Sequence, residues 1–204
     1  HDDPKHVSMK YFFTRKLMLV KESRAFICVP GGFGTLDEMF ELLTLQQTGK
    51  ADPTPIVLLD RPGGTFWAGL ERFVDEQLIA GGFVSPDDFD RVLVTDSVDA
   101  AVNEITGFYR NYDSLRWVGK RLVVRLHAAP SPEEIDDLNE RFGDLLAEGR
   151  IEATAPLKAE VKDGDRLDLP RIVLTLNQFK VGSLHRLIRA LNDLPSQAPG
   201  QSRA

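Results

Sequence analysis

Residues 25–47 read AFICVPGGFGTLDEMFELLTLQQ, and this stretch decides the fold. It begins with the apolar run 25–29, which is typical of a strand buried on both faces. Pro30 ends that strand, because proline lacks the N–H group that a strand ladder needs. Apolar residues then recur at helical spacing from Thr35 onward. The sequence therefore predicts a strand, a glycine-rich turn and a helix.

The turn holds three glycines within four positions, Gly31, Gly32 and Gly34. Glycine lets a ligand approach the backbone because it has no Cβ, and the N–H groups at a helix N-terminus attract anions. The turn has neither the Lys-Ser/Thr of a Walker loop nor the spacing of GxGxxG. Spacing alone leaves two interpretations open, a phosphate site and a plain structural turn.

Glu38 also has two interpretations. Thr35 and Glu38 fit a capping box, in which each side chain bonds the backbone N–H of the other residue. Alternatively, Glu38 is an ionised carboxylate in the first turn of the helix, where the helix dipole favours its charge, and it takes part in chemistry.

The longer string PGGFGTLDE resembles the PGGxGTxxE signature of the LONELY GUY (LOG) family, also called lysine decarboxylase-like. That family carries an Arg-Lys pair upstream, and here Arg15 and Lys16 occur together, with Arg15 23 positions before Glu38. The resemblance covers roughly residues 11–109. It implies a Rossmann-like phosphoribohydrolase that splits a nucleoside 5′-monophosphate, such as AMP, into free base and ribose 5-phosphate.

The resemblance also implies which residues form the site. Arg15 and Glu38 are the expected catalytic residues, and Glu38 would stabilise an oxocarbenium-like state as an anion. Arg15 and Lys16 point about 100° apart on a helix, so one is expected to reach the site while the other faces solvent. The residues expected to bind phosphate or nucleotide are Gly31, Gly32, Gly34, Thr35 and Lys16.

No metal or cofactor is expected. The histidines do not stand at metal-ligand spacing from Cys28 or from acidic residues. A pyridoxal-phosphate decarboxylase needs a Schiff-base lysine, and no lysine context here suggests one. The alternative to an enzyme is a regulatory module that binds a nucleotide or a phosphorylated cofactor without turnover. Such a module needs the glycines but not Arg15 with Glu38, so the pair favours the enzyme.

The composition is ordinary for a globular protein, with 42% hydrophobic and 27% charged residues among 204. A net charge of −6 provides no basic field for nucleic acid or an anionic membrane. No apolar run approaches the ~20 residues of a membrane span. Cys28 cannot form a disulfide within the chain and is expected in the core, which fits a reducing, cytoplasmic location.

The rest of the sequence predicts two regions with different secondary structure, one on each side of residue 111. Buried-type strands at 55–59 and 92–94 alternate with helices at 11–22, 66–80 and 97–109, which indicates a parallel sheet. Apolar residues of the first helix are placed to pack on that sheet. Beyond residue 111 we expect a one-sided strand at 121–127, a helix at 131–147 that begins with a Ser131–Glu134 capping box, weak strands within 151–161, a hairpin turn at Asp163-Gly164, a strand at 170–176 and a helix at 183–194.

The expected architecture is therefore α/β. Residues 1–112 should form the C-terminal portion of a Rossmann-like domain, with a parallel sheet and helices on both faces. Residues 113–195 should form a small α+β domain that is dispensable for chemistry, and residues 196–204 a disordered tail. A doubly wound fold needs strands before residue 11, so we expect a longer protein. The LOG resemblance implies a homodimer or higher oligomer that uses the helix at 11–22 and the motif helix.

Overall fold

A computed structural model describes residues 11–89 and 91–197, without the side chain of Phe12. The first strands form a parallel sheet in the order β1-β2-β3, with Cys28 opposite Leu58 and Leu59 opposite Thr95. These strands are β1 (Phe26–Cys28), β2 (Ile56–Leu59) and β3 (Val92–Thr95). The accompanying helices are α1 (Phe12–Glu22), α2 (Phe33–Gln47), α3 (Phe66–Phe73), α4 (Pro86–Phe89) and α5 (Val98–Phe108).

This alternation confirms the predicted α/β class. α3 continues as a π-helical segment, Val74–Ile79, so together they span the predicted helix at 66–80. Ser97 caps α5 by accepting a hydrogen bond from the Ala100 N–H at 3.2 Å. The short helix α4 lies between the π-helical segment and β3.

Burial of β1 and α1 was predicted wrongly. β2 is the central strand, and Ile56, Val57 and Leu58 are fully buried. β1 pairs with β2 alone among the described strands, so Ile27 is 48% exposed and Cys28 only half-buried. Three α1 side chains expected on the sheet are exposed, Phe13, Leu17 and Leu19, because Met39, Leu42 and Trp67 already fill the core beside the strands.

The C-terminal part of the chain, called the second domain below, contains a four-stranded antiparallel sheet in the order β4-β5-β7-β6. A domain boundary at residue 112 stays a prediction. Its strands are β4 (Tyr112–Val118), β5 (Arg121–Leu126), β6 (Leu146–Ala153) and β7 (Arg171–Leu176). Its helices are α6 (Pro132–Phe142), α7 (Lys158–Asp163) and α8 (Leu184–Asn192). The sheet and helices confirm the predicted α+β character.

Several local predictions in this domain were wrong. β4 was not predicted, α6 ends five residues early, and α7 replaces one of the weak strands. Gly164 does not form a hairpin: at φ +65° it ends α7 in the left-handed conformation. β5 is buried rather than one-sided, because it lies between β4 and β7 and its Arg125 pairs with the fully buried Glu160 at 2.8 Å. The Ser131–Glu134 capping box is present as predicted.

Among the described residues, no helix is long and apolar enough to cross a membrane. The cytoplasmic location stays a prediction. The expected disordered tail was wrong for residues 196 and 197, which belong to the short 3-10 helix Pro195–Gln197, and the rest of the tail, like the expected loop at residues 1–8, lies outside the described residues.

A buried hydrogen bond joins the two domains at α2. The Gln46 Nε2 donates to Thr54 Oγ1 at 2.7 Å, which leaves the Gln46 Oε1 to accept from His185 Nε2 at 2.7 Å. His185 lies on α8 and Gln46 on the motif helix, and both are at most 5% exposed. Phe108 and Tyr112 also extend the core of the second domain across residue 112. That this domain is dispensable for chemistry stays a prediction.

We expect this junction to make stability depend on pH. Burial, with the charges of Arg91 and Arg189, lowers the pKa of His185 to about 3. In the unfolded chain its pKa is about 6.5, so the unfolded state binds a proton that the folded state does not. The free energy of unfolding should therefore fall as pH drops from about 6.5, by up to ~1.4 kcal/mol per pH unit from this group. Urea melts at pH 7, 6 and 5 should show a shallower dependence for His185→Gln, and parallel curves for both proteins would contradict the assignment.

Candidate active site

The helix that follows the glycine turn starts earlier than predicted. α2 begins at Phe33 with Gly32 as its N-cap, and no side chain caps it. The N–H groups of Thr35 and Leu36 both donate to the Gly32 carbonyl, at 3.1 and 3.2 Å. Thr35 is therefore the third helical residue, and the Thr35–Glu38 capping box does not form. The N–H groups of Phe33 and Gly34 precede the first helical hydrogen bonds and point out of the helix end.

The glycines of the turn differ in what the fold requires of them. A Cβ on Gly31 would lie 2.3 Å from Thr35 Oγ1, so packing explains this glycine. A Cβ on Gly32 or Gly34 would meet no atom within 4 Å. Gly32 has φ −85°, which other residues adopt readily. Glycine is also about 1 kcal/mol less favourable than alanine in a helix. The described fold thus leaves open space at two glycines beside free N–H donors.

Glu38 is the sixth residue of α2 and lies in its second turn. The prediction that Glu38 lies in the first turn was wrong, because the helix begins two residues before Thr35. The Glu38 side chain is half-buried. The burial of the Cys28 thiol, together with the negative charge of Glu38, raises the pKa of Cys28 to about 11. The carboxylate therefore lies near the end of β1. It forms no hydrogen bond or ion pair with any residue in 11–89 or 91–197, which leaves it available to a ligand.

The side chains of Lys16 and Arg15 have different surroundings, as their consecutive positions on a helix predict. The Lys16 Nζ lies 2.5 Å from Asp37 Oδ2 and 2.8 Å from Glu41 Oε2, and this pairing raises its pKa. Lys16 thus ties α1 to α2. Arg15 is exposed and has no ion pair within the described part of the chain.

The carboxyl ends of the strands meet beside the glycine turn. A cavity of about 750 Å³ lies there, lined by Val29 and Pro30 after β1, by Leu59 at the end of β2 and the loop 60–62 that follows it, and by Phe66 and Val98. Ligands of open parallel sheets bind at this edge. The edge therefore offers space for the rest of a molecule whose anionic group occupies the turn.

Asp60 organises the loop along this cavity and was missed in the sequence. Its Oδ2 accepts from the Phe66 N–H at 2.8 Å, and its Oδ1 accepts from the Arg61 N–H at 2.8 Å. A Cβ on Gly64 would lie 2.1 Å from Asp60 Oδ1, and Gly63 has φ +71°, so loop geometry explains both glycines. The sequence feature that could have identified Asp60 is its position between a buried strand and a helix.

The family follows from a match across the first domain. A sequence model of the family described as "Possible lysine decarboxylase" matches residues 2–105, half of the chain. The chain belongs to this lysine decarboxylase-like (LOG) family. The match includes the glycine turn, Glu38 and the Arg15–Lys16 pair, and so confirms the resemblance seen in the motif.

Relatives in the LOG family carry names that state an activity. The chain is 38% identical over 102 residues to the cytokinin riboside 5'-monophosphate phosphoribohydrolase of Mycobacterium tuberculosis, covering 50% of this chain and 52% of the relative. It is 42% identical over 72 residues to cytokinin riboside 5'-monophosphate phosphoribohydrolase LOG1 of Arabidopsis thaliana, covering 35% and 32%. The chain therefore spans about half the length, or less, of these relatives.

Proposed function

We infer that this chain carries the nucleotide site of an N-glycosidic hydrolase, which cleaves a nucleoside 5′-monophosphate such as AMP into free base and ribose 5-phosphate. The observation that carries the proposal is the pairing of two features at one strand end. Gly32 and Gly34 leave open space at a helix N-terminus, and Glu38 is a carboxylate in the next turn that pairs with no residue of the described part of the chain. The names of the LOG relatives support the same reaction.

The phosphate group binds at the start of α2. The N–H groups of Gly32, Phe33 and Gly34 donate to its oxygens, and the positive end of the helix dipole favours its charge. The Thr35 hydroxyl has no hydrogen bond to a described residue, and it supplies a further donor. Gly31 contributes by allowing the close packing of Thr35.

Glu38 acts on the sugar. As the bond between C1′ and the base breaks, its electron pair leaves with the base and positive charge develops on C1′ and the ring oxygen. A carboxylate beside that charge stabilises the oxocarbenium-like state. Water then adds to C1′ and gives up its proton to Glu38, while the departing base takes up one proton from solvent, so that the base leaves in its neutral form. The products are the free base and ribose 5-phosphate.

Arg15 supplies a permanent positive charge near the nucleotide. A guanidinium stays protonated at working pH, so Arg15 binds the ligand and donates no proton to the base. Lys16 sets α1 against α2 through Asp37 and Glu41. A direct phosphate contact from Lys16 stays a prediction.

The raised pKa of Lys16 argues against the decarboxylase in the family description. A Schiff base forms on a neutral amine, whose pKa must be lowered for the reaction. Two carboxylates within 2.8 Å of Nζ raise the pKa of Lys16 instead and keep it protonated.

Incubation of the full-length protein and of this chain with AMP tests the proposal. We expect the full-length protein to release free adenine, measured by chromatography, and adenosine serves as the control without phosphate. Release of adenosine and inorganic phosphate would contradict the proposed bond cleavage. Binding of AMP without any product would establish the non-catalytic nucleotide-binding module.

A two-fold homodimer is part of the proposal. Large apolar side chains are exposed on the two helices beside the site, among them Phe13 and Leu17 on α1 and Phe33 and Phe40 on α2. Light scattering of the full-length protein at micromolar concentration should give at least twice the monomer mass. Leu17→Glu should lower that mass, and a monomeric wild type would contradict the proposal.

A further inference from the structure

A second cavity, of about 540 Å³, lies between the two domains. It is lined by the second half of α2, by α1, by the segments that precede β1 and β2, and by residues 109–114 with Arg166. It therefore lies at the amino ends of the parallel strands, whereas the glycine turn follows the carboxyl end of β1. No residue of the proposed active site lines it. Its volume is in the range of small-molecule pockets.

Asp52 is the carboxylate in this cavity that lacks a counter-charge. It forms no hydrogen bond or ion pair with a residue of the described ranges. The residue as a whole is exposed, and partial burial of its carboxylate raises its pKa. The other carboxylates of the lining are compensated. Asp113 pairs with Arg166, and Glu41 pairs with Lys16 at 2.8 Å.

Tyr112 brings an unsatisfied hydroxyl to the same place. Its side chain is 3% exposed, and its hydroxyl has no hydrogen-bond partner within residues 11–89 and 91–197. The charge of Asp52 adds to burial in raising the pKa of both Tyr109 and Tyr112, so these groups lie close together. The hydroxyl is open to the cavity and not fully enclosed by protein, so a ligand in the cavity can bond to it.

The aromatic rings add an apolar, electron-rich wall. Tyr109 and Tyr112 stack with centroids 5.9 Å apart. Tyr109 already accommodates a cation, because the Arg24 guanidinium lies 4.5 Å from its ring centroid and donates to the Asp113 carbonyl at 3.0 Å. The opposite wall is aliphatic and aromatic, from Val20, Phe26, Leu42 and Leu45. Such a surface suits an apolar body attached to a cationic head.

Arg166 closes the cavity from the second domain. It has φ +51°, the only positive φ among the described residues other than glycine. A left-handed conformation is unfavourable for any residue other than glycine. Its carbonyl accepts from Arg171 Nη2 at 2.6 Å, which holds it in place, and its guanidinium pairs with Asp113. The fold thus maintains a strained residue at the cavity wall.

We propose that the cavity between the domains binds a small organic cation, a protonated amine on an apolar body. The ammonium group lies between the Asp52 carboxylate and the Tyr112 hydroxyl, and the body packs on the aliphatic wall of α1 and α2. The site gives the second domain a role in ligand binding. It stands apart from the proposed hydrolysis and does not depend on it.

Phenethylammonium is the probe for this site, with 2-phenylethanol and 3-phenylpropionate as its neutral and anionic analogues. Titration calorimetry on the full chain should show binding of the cation and at least tenfold weaker binding of both analogues. Asp52→Asn should weaken the cation at least tenfold, and Tyr112→Phe several-fold. Asp168→Asn is the control, since Asp168 is exposed and does not line the cavity.

Three results would overturn the proposal. The first is no detectable binding of phenethylammonium at millimolar concentration. The second is tighter binding of 3-phenylpropionate, which would indicate an anion site formed by Lys21 and Lys50 at the rim. The third is an unchanged affinity in Asp52→Asn. Circular dichroism should show that the variants are folded, and Tyr112→Phe provides an independent variant if Asp52→Asn unfolds.

Discussion

The Glu38→Gln variant of the full-length protein is expected to bind AMP about as well as the wild type and to release adenine on the order of 100- to 1000-fold more slowly. The substitution keeps the shape of the side chain and removes its charge. Phosphate binding depends on the N–H groups of the turn, so affinity should change little. The charge at C1′ loses its carboxylate, so the chemical step should slow. Calorimetry with AMP and a chromatographic adenine assay measure the two effects separately.

Glu71→Gln is the matched control, because Glu71 is exposed on α3 and forms no ion pair within the described ranges. It should turn over AMP at the wild-type rate. Wild-type adenine release by Glu38→Gln would remove the main chemical support for the enzyme. The thermal midpoint should stay near wild type in both variants, since the Thr35–Glu38 capping box does not form.

The second large effect concerns the glycines of the turn. Gly34→Ala should leave the fold intact or stabilise it slightly, because alanine favours a helix and no atom lies within 4 Å of the new Cβ. The methyl group would instead enter the space proposed for phosphate. Loss of a hydrogen bond to a charged group costs about 1.5–3 kcal/mol, which corresponds to a roughly 10- to 150-fold weaker AMP affinity.

Gly31→Ala adds the same methyl group three positions earlier and should have the opposite effect. Its Cβ would lie 2.3 Å from Thr35 Oγ1, so the variant should melt at a lower temperature. Thermal melts and AMP titrations of both variants, side by side, separate packing from ligand binding. Wild-type affinity in a well-folded Gly34→Ala protein would contradict phosphate binding at the turn.

The parallel sheet could be predicted because its strands are short apolar runs between helices. The burial of β1 and α1 could not, since apolar content does not show which strand lies at an edge. Ile27 and Phe13 are as apolar as Ile56, yet they are exposed. The position of Glu38 on α2 was also missed, because a glycine N-cap carries no side-chain signal and the helix began at Phe33.

The second domain was harder to predict because its charged residues are satisfied over long distances. Asp113 and Arg116 interrupt the apolar pattern of β4, yet they pair with Arg166 and Asp165 about 50 positions away. The cavity between the domains could not be predicted for the same reason. Asp52 and Tyr112 meet through tertiary structure alone, and no local motif marks either residue.

The most direct test of the central claim is a crystal structure of full-length Glu38→Gln with AMP, in which slow turnover preserves the nucleotide. The phosphate oxygens should lie about 3 Å from the N–H groups of Gly32, Phe33 and Gly34. The ribose C1′ should lie beside the side chain at position 38, with the base in the cavity along Pro30 and Phe66. AMP bound elsewhere, with nothing at the glycine turn, would contradict the account.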